Sequence, residues 1–217
     1  MIKIFLGPPG SGKGTAASKI APKFNVPHIS TGDLFRQHIK ENTITGQKAQ
    51  EHINKGEFVP DKITIEILKQ RISQDDCKSG FILDGFPRTI KQAKKLKQIT
   101  NIDIVININV PEEIIIKRLS SRVTCKQCKE IYNLLDIPTQ KYGVCDKCQG
   151  EIIQRDDDKP EVIQNRLNIY KKETQPLIEF YQKQEILKTI SCPTITQTKE
   201  ETLQKILNAI NEFVEGN

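Results

Sequence analysis

The chain has 217 residues, enough for one domain with insertions and a sizeable buried core. Its net charge of +6 permits nucleic-acid binding without requiring it, because polyphosphate substrates also favour positive charge. The sequence contains no run of 18 apolar residues, which a membrane helix would need, and its first ten residues do not resemble a signal peptide. Six cysteines without a secretory signal indicate metal ligands or reduced thiols, so we expect a cytoplasmic protein.

The first twenty residues predict a phosphate site. An apolar run at residues 2–6 predicts a strand, residues 7–15 read GPPGSGKGT, and residues 16–20 can continue as a helix. In this context glycines let backbone N–H groups point into a concavity, and the helix N-terminus and Lys13 add positive charge. We therefore expect nucleotide phosphates to bind here.

One position departs from the general pattern of such loops. A Ser or Thr normally follows the lysine and gives its hydroxyl to Mg²⁺. Here Gly14 follows, and Thr15 comes one position later. We expect Mg²⁺ to be held mainly by nucleotide phosphates and water, with a carboxylate elsewhere in support.

Residues 30–59 predict a small helical insertion after the second strand. Ser30, Thr31 and Asp33 are plausible caps for a helix that begins at this point. A second helix is expected over residues 45–55.

Residues 80–88, with the sequence GFILDGFPR, give the second strong signal. Residues 81–83 predict a buried strand that ends in a carboxylate, Asp84. Because the sites of parallel sheets lie at the carboxyl ends of strands, we expect Asp84 to face Lys13.

The rest of the chain continues the alternation of strands and helices. This alternation predicts an α/β fold with a parallel, doubly wound sheet covered on both faces. The further elements expected are a strand at 103–110, a helix from Pro111 through Arg118 and Arg122, a long helix at 160–184, a strand at 187–191 and a helix at 199–213.

Arginine is scarce, since only seven of the 33 basic residues are Arg. Where Lys is the default, Arg indicates places that need the planar fork that binds phosphate through two bonds. Arg71 is interpreted as a solvated helix residue. The other six fall in motif-like segments: Arg36, Arg88, Arg118, Arg122, Arg155 and Arg166.

Two C-x-x-C pairs predict a metal site. The first pair is Cys125 and Cys128, and the second is Cys145 and Cys148. Sixteen residues lie between the two pairs, a spacing typical of four-thiolate zinc sites. Full sulfur ligation leaves no open position, so the metal is expected to be structural. The remaining cysteines, Cys77 and Cys192, are interpreted as small apolar residues that fill space. The histidines are interpreted as surface or capping residues; they are His28, His38 and His52.

Together these motifs resemble those of the nucleoside monophosphate kinases and, among them, the long-form bacterial-type adenylate kinases. The resemblance implies an enzyme that converts MgATP and AMP reversibly into two ADP, with Mg²⁺ bound to ATP and a structural Zn²⁺. It implies a cytoplasmic monomer whose partners are ATP, AMP and ADP, with no nucleic acid or membrane. The motifs occur in the expected order over essentially the whole chain: GPPGSGKGT at 7–15, STGDLFR at 30–36, LDGFPRT at 83–89, the four-cysteine insert, and QRDDD at 154–158.

The resemblance also implies a fold of three parts. A P-loop parallel sheet wrapped by helices is joined by a helical AMP-binding insert and a small zinc-ribbon-like LID insert. The acidic run at 156–158 is interpreted as the base of a mobile flap. The implied parts are a core at 1–29, 60–122 and 160–217, the AMP-binding insert at 30–59, and the LID at 123–159.

Site residues follow from the resemblance position by position. Lys13 would follow the transferring phosphoryl group, Asp84 would orient magnesium through water, and Gln92 would read adenine. The implied catalytic residues are Lys13, Asp84, Arg88, Arg122, Arg155 and Arg166. The implied ATP-binding residues are Gly10, Ser11, Gly12, Lys13, Gly14, Thr15, Arg118, Arg122 and Lys199. The implied AMP-binding residues are Thr31, Arg36, Glu57, Phe58, Val59, Gly85, Phe86, Pro87, Arg88, Gln92, Arg155 and Arg166.

Two other interpretations remain open. A kinase for UMP or CMP shares the glycine loop and a segment like DGFPR, although the cysteine insert and Gln92 favour AMP. The alternative from a different class of protein is a nucleic-acid-binding zinc module. Such a module requires exposed aromatic residues and clustered basic residues on the ribbon. Between the cysteine pairs there are Tyr132 and Tyr142 but no Arg, which argues against it.

Overall fold

The computed structural model describes residues 1–192 and 199–215. In this part of the chain eight strands form two sheets, nine α-helices connect and cover them, and none of these helices is long and apolar enough to cross a membrane. The strands are β1 (Ile2–Leu6), β2 (His28–Ser30), β3 (Phe81–Asp84), β4 (Ile104–Asn109), β5 (Arg122–Cys125), β6 (Ile131–Asn133), β7 (Ile152–Ile153) and β8 (Leu187–Ser191). The helices are α1 (Lys13–Ile20), α2 (Thr31–Lys40), α3 (Ile44–Asn54), α4 (Asp61–Ile72), α5 (Ile90–Lys97), α6 (Glu112–Ser120), α7 (Pro160–Ile169), α8 (Pro176–Gln182) and α9 (Lys199–Glu215).

The larger sheet is parallel throughout, with the strand order β2-β3-β1-β4-β8. At its centre, Ile4 of β1 pairs with Leu83 on one side and Val105 on the other. Strands that are buried on both faces are near-continuous apolar runs, and this is the pattern of β1, β3 and β4. The predicted α/β fold is confirmed, including the strand at 187–191.

Both faces of this sheet are covered by helices. On one face Phe5 packs in a cluster with Ile20 of α1 and Leu119 of α6. On the other face Ile4 packs with Leu68 of α4. Full burial of each such side chain contributes about 1.5–3 kcal/mol, so this two-sided core holds the strand ends in place.

Helices α2 and α3 form a closely packed pair after β2. The Ser30 hydroxyl accepts a hydrogen bond from the Asp33 N–H and caps α2 as predicted, and Thr43 caps α3 in the same way through the Gly46 N–H. Gly46 permits the close approach, because a Cβ there would lie 2.2 Å from the carbonyl oxygen of His38.

The strands β6-β5-β7 form a separate antiparallel sheet. The prediction that the helix from Pro111 runs through Arg122 is wrong, since α6 ends at Ser120 and Arg122 begins β5. The Ser121 hydroxyl donates to the Lys117 carbonyl at 2.6 Å, which closes the last helical turn. Arg122 then pairs across the sheet with Asn133.

The expected single helix at 160–184 is interrupted. Helix α7 is followed by a π-helical turn at Tyr170–Thr174, and α8 begins at Pro176. Pro176 has no N–H and its ring would clash with the carbonyl four residues earlier, so a regular helix cannot pass through it. The Gln175 N–H instead donates to the Tyr170 carbonyl five residues back, at 2.9 Å.

Candidate active site

The carboxyl ends of the parallel strands open into one continuous cavity of about 1200 Å³. The loops after β1 and β3 and the start of α2 line it, together with parts of α6 and of the small sheet. This is the edge where open α/β sheets place their ligands. The volume exceeds the usual 300–1,000 Å³ or so of a site for one small molecule, so two ligands fit.

Glycines shape the loop between β1 and α1. Gly10 and Gly12 adopt φ angles of 79° and 94°, in the region that favours glycine. A Cβ on Gly10 would also lie 2.8 Å from Leu119. Lys13 begins α1, and its Nζ donates to the Pro8 carbonyl at 2.7 Å. The loop thus holds an ammonium group at the positive end of a helix, which suits an anion.

Asp84 lies next to this loop at the end of β3. A Cβ on Gly14 would be 3.0 Å from its Oδ2, a tight contact that glycine avoids. Burial raises the pKa of Asp84, but the adjacent His28 ring and the Lys13 ammonium outweigh burial and lower it below the usual value. Asp84 is therefore an ionised carboxylate in the same cavity as Lys13.

The expectation that His28 is a surface or capping residue is wrong. Its side chain is only 18% exposed, and its Nε2 lies 3.6 Å from Asp84 Oδ2 inside the cavity. The parallel pairing of β2 with β3 brings the two together. The expectation fits the other two histidines better. His38 Nδ1 lies 3.0 Å from the Thr43 hydroxyl that caps α3, and the ring of His52 makes its contact at the exposed surface.

A second polar centre lies at the start of α2 and the loop after β3. The Gly85 carbonyl accepts hydrogen bonds from the Thr31 hydroxyl at 2.9 Å and from Arg88 Nε at 2.7 Å. The Phe58 ring lies 5.1 Å from Arg88 Cζ. Thr174, in the π-helical turn, donates to the Arg88 carbonyl at 2.8 Å. Arg88 is therefore fixed through its side chain and its backbone.

Gln92 is almost fully buried, although it lines the same part of the cavity. Its Oε1 accepts a hydrogen bond from the Arg88 N–H at 2.7 Å, and its Nε2 donates to Asp61 Oδ1 at 2.7 Å. Both ends of the amide are held, and each retains capacity for one further hydrogen bond.

Arginines from the small sheet and from α7 meet over a buried carboxylate. Arg122 Nε and Nη2 lie 2.7 and 2.5 Å from the two oxygens of Asp158, whose side chain is fully buried. Arg166 Nη1 lies 3.1 Å from Asp158 and 3.0 Å from Asp157. Arg155 Nε donates to the Thr124 hydroxyl at 2.9 Å. The acidic run thus holds arginines in the cavity wall.

These cations repel one another. Burial, which Asp84 partly opposes, and the charges of Arg88, Arg166 and Arg122 together lower the pKa of Lys13 to about 8. Burial and neighbouring cations also hold the pKa of Arg155 below its usual value. A polyanion in the cavity relieves this repulsion, so the site is built for negatively charged ligands.

The four paired cysteines form a compact cluster in the small sheet. Their sulfurs all lie within 4.8 Å of one another, and tetrahedral zinc with Zn–S bonds of about 2.3 Å requires separations near 3.8 Å. Burial opposes ionisation of Cys145, but hydrogen bonds from Tyr132 and from the N–H groups of Cys148 and Lys147 lower its pKa to about 6. The cluster therefore fits a four-coordinate thiophilic ion such as zinc.

The structure brings nearly all the predicted site residues to the cavity. Phe86 differs, since its side chain is buried in the core with Leu83. Lys199 begins α9, but its side chain and residues 193–198 lie outside the described residues, as does the ATP contact expected at Lys199. The cavity lining further includes residues that the motifs did not assign to it: His28, Asp33, Tyr132, Asp157, Tyr170 and Thr174.

The glycine loop, the carboxylate at the end of β3 and the converging arginines define a P-loop nucleotide kinase. The family model described as adenylate kinase matches residues 5–186. An adenylate kinase of Acetivibrio thermocellus is 50% identical over 213 residues, which cover 96% of this chain and 97% of the relative. One of Archaeoglobus fulgidus is 49% identical over 189 residues, covering 85% and 87% of the two chains. The chain belongs to the adenylate kinase family.

Proposed function

We propose that the protein transfers the terminal phosphoryl group of MgATP to AMP, reversibly, giving two ADP. Relatives that are about half identical over nearly the whole chain carry the name adenylate kinase. The observation that carries the proposal is a single cavity lined both by the phosphate loop and by the Arg88–Gln92 centre. Such a cavity suits a donor and an acceptor nucleotide that react with each other.

The donor nucleotide is assigned to the part of the cavity that the glycine loop lines. Backbone N–H groups of residues 10–15 would surround its phosphates, and Lys13 would follow the group in transfer. Arg118 and Arg122 complete this side, and the backbone near Lys199 is assigned to its adenine. Asp84, held ionised, would orient the Mg²⁺ of MgATP through water.

The acceptor AMP is assigned to the part of the cavity lined by Arg88 and Gln92. Arg36 and Arg88 would bind its phosphate, and Gln92 would pair with its adenine. Asp33 supports Arg36 through an ion pair of 2.7 Å. The remaining acceptor-side residues are Thr31, Glu57, Phe58, Val59, Gly85, Phe86, Pro87, Arg155 and Arg166.

No side-chain nucleophile is needed, because the phosphate of AMP attacks in line. Catalysis is then a matter of positioning and of neutralising the charge on the transferring group, for which Lys13 and the arginines are placed. Water must be excluded, or ATP would be hydrolysed. We assign that task to residues 123–159 as a closing LID, with 30–59 as the AMP-binding insert and 1–29, 60–122 and 160–217 as the core.

The four cysteines are assigned to a structural zinc ion. When bound, zinc would supply cross-links within a sheet too small to bury much core. Cys125, Cys128, Cys145 and Cys148 would fill all four positions, so the ion has no place for a substrate. We further propose that the protein acts as a monomer in the cytoplasm, where such thiols stay reduced and metal-bound.

The experiment is an assay with ATP, AMP and Mg²⁺ in which ADP is measured. ADP should form at two per AMP consumed, and equimolar UMP or CMP should be poor acceptors. Faster turnover with UMP or CMP would overturn the assignment of the acceptor. Light scattering on the same sample tests the monomer.

A further inference from the structure

The side-chain amide of Gln92 is held by two neighbours of opposite hydrogen-bonding character. Asp61 Oδ1 lies 2.7 Å from Nε2, and the Arg88 backbone N lies 2.7 Å from Oε1. A carboxylate accepts and a backbone N–H donates, so these partners fit only one of the two orientations that the amide can take by a 180° rotation. Gln92 is 1% exposed, so water does not compensate for the wrong orientation.

The locked orientation decides which base the amide can pair with. The second Nε2–H and the second lone pair of Oε1 remain free for a ligand. Adenine offers an N6 amino donor beside the N1 acceptor, and this pattern matches the free donor and acceptor of the amide. Hypoxanthine has nearly the same shape, but offers an O6 acceptor beside an N1–H donor. It therefore needs the opposite orientation, which would leave the buried Arg88 N–H facing an NH₂ group and the Asp61 carboxylate facing an oxygen.

We propose that Asp61, outside the cavity lining, is a positioning residue that determines specificity for 6-aminopurine acceptors by locking the Gln92 amide. This inference rests on the proposed function, since it deepens the AMP site. Asp61 is the first residue of α4, and its side chain is only 25% exposed. The packing of α4 on the core therefore fixes the carboxylate before any base binds.

The test compares AMP with IMP, whose base is hypoxanthine, in the full-length protein. In the unaltered enzyme kcat/KM for IMP should be lower than for AMP by about 10³-fold or more, as in sites built to hydrogen-bond a substrate. Asp61→Asn keeps the shape, but its amide can present a donor or an acceptor. The ratio of kcat/KM for AMP to kcat/KM for IMP should fall by about tenfold, because only the Arg88 N–H then still favours one orientation of the amide. kcat/KM for IMP should rise in absolute terms, which loss of structure alone would not cause.

Asp61→Ser is a second variant, because its hydroxyl can also donate or accept and serine is well tolerated at helix starts. Two controls leave the lock intact. Lys91→Met removes the exposed ammonium 4.0 Å from Asp61 Oδ2, and Asp76→Asn makes the same chemical change at a carboxylate paired with Arg71. Both should keep the AMP/IMP ratio of the unaltered enzyme. Calorimetric Kd values for AMP and IMP give the same ratio without turnover.

An unchanged AMP/IMP ratio in folded Asp61→Asn and Asp61→Ser, with both substrates weakened equally, would overturn the proposal and leave Asp61 a purely structural residue. Failure of the proposed function looks different, because the unaltered enzyme itself would then not convert AMP with ATP. KM for ATP should stay within about twofold in every variant, since the lock lies on the acceptor side.

Discussion

Arg122 and Asp158 form a two-point ion pair in which both guanidinium–carboxylate distances are 2.7 Å or less and the carboxylate is fully buried. The pair joins the first strand of the small sheet to the segment just before α7. The pair orients Arg122 in the cavity wall, and the same carboxylate also forms an ion pair with Arg166.

Replacing this carboxylate should harm both stability and turnover. Asp158→Asn leaves the partly buried Arg122 and Arg166 without their shared, fully buried counter-charge, and breaking a buried pair costs about 3–5 kcal/mol. The melting temperature should fall by several degrees, and kcat should fall at least tenfold because the arginine is no longer oriented. Asp156→Asn is the matched control, since that carboxylate is exposed. Equal effects of the two changes would contradict the role given to Asp158.

Lys13→Ala should lose on the order of 10²-fold or more in kcat, because it removes the preorganised cation that we assign to the transferring group. The fold should survive, since burying this ammonium among three arginines is itself unfavourable. Steady-state kinetics and thermal unfolding measure the two effects, and Lys23→Ala in an exposed position is the control. Turnover within threefold of the unaltered enzyme would refute the assignment.

Gln92→Ala should raise KM for AMP far more than KM for ATP. The substitution removes the only assigned partner of the acceptor base and leaves the Asp61 carboxylate without its hydrogen bond. Initial rates with one substrate varied at a time separate the two constants, and Gln98→Ala at the exposed end of the same helix is the control. Parallel rises in both constants would place Gln92 outside the acceptor site.

The sequence was sufficient where local chemistry decides the structure. The glycine loop, the Ser30 cap and the strand that ends in Asp84 each depend on a few adjacent residues, and each occurs where the pattern places it. The paired cysteines belong to this class too, because a short turn within each pair brings its two sulfurs together.

The sequence was insufficient where partners lie far apart along the chain. His28 meets Asp84 only through the pairing of β2 with β3. The acidic run has the composition of a solvated loop, yet the arginines of two other segments bury Asp158. The end of α6 depended on a hydroxyl closing its last turn, a local competition that helix periodicity does not reveal.

Loss of the cysteine cluster should affect stability more than chemistry. Thiolate binding of a metal adds to the stability of the folded segment, so Cys125→Ser with Cys128→Ser, or a chelator, should lower the melting temperature substantially. Where the metal-free protein is still folded, kcat should stay within roughly tenfold, because only the ordering of the segment changes. Cys77→Ala, outside the cluster, is the control and should retain one zinc per chain by elemental analysis. A metal-free protein that is folded, closes normally and yet is inactive would contradict a structural role.

Stability should depend on pH through Lys3, a fully buried lysine in β1 whose Nζ lies 4.0 Å from the centre of the Phe24 ring. Burial lowers its pKa from 10.5 to about 8, although Asp103 partly opposes the shift. Between these two pH values the unfolded chain binds more protons than the folded one, so this residue makes stability rise with pH. Below pH 8 or so the full cost of the buried charge is present.

Lys3→Met should therefore raise the melting temperature at pH 7, because it fills the same space without a charge. The gain should shrink as the pH rises from 8 to 10.5, the interval over which Lys3 loses its proton in the folded state before the unfolded one. Thermal unfolding at pH 7, 9 and 10.5 measures it, with Lys23→Met as the exposed control. A gain that is constant across these pH values would show that the effect of Lys3→Met is one of packing and not of charge.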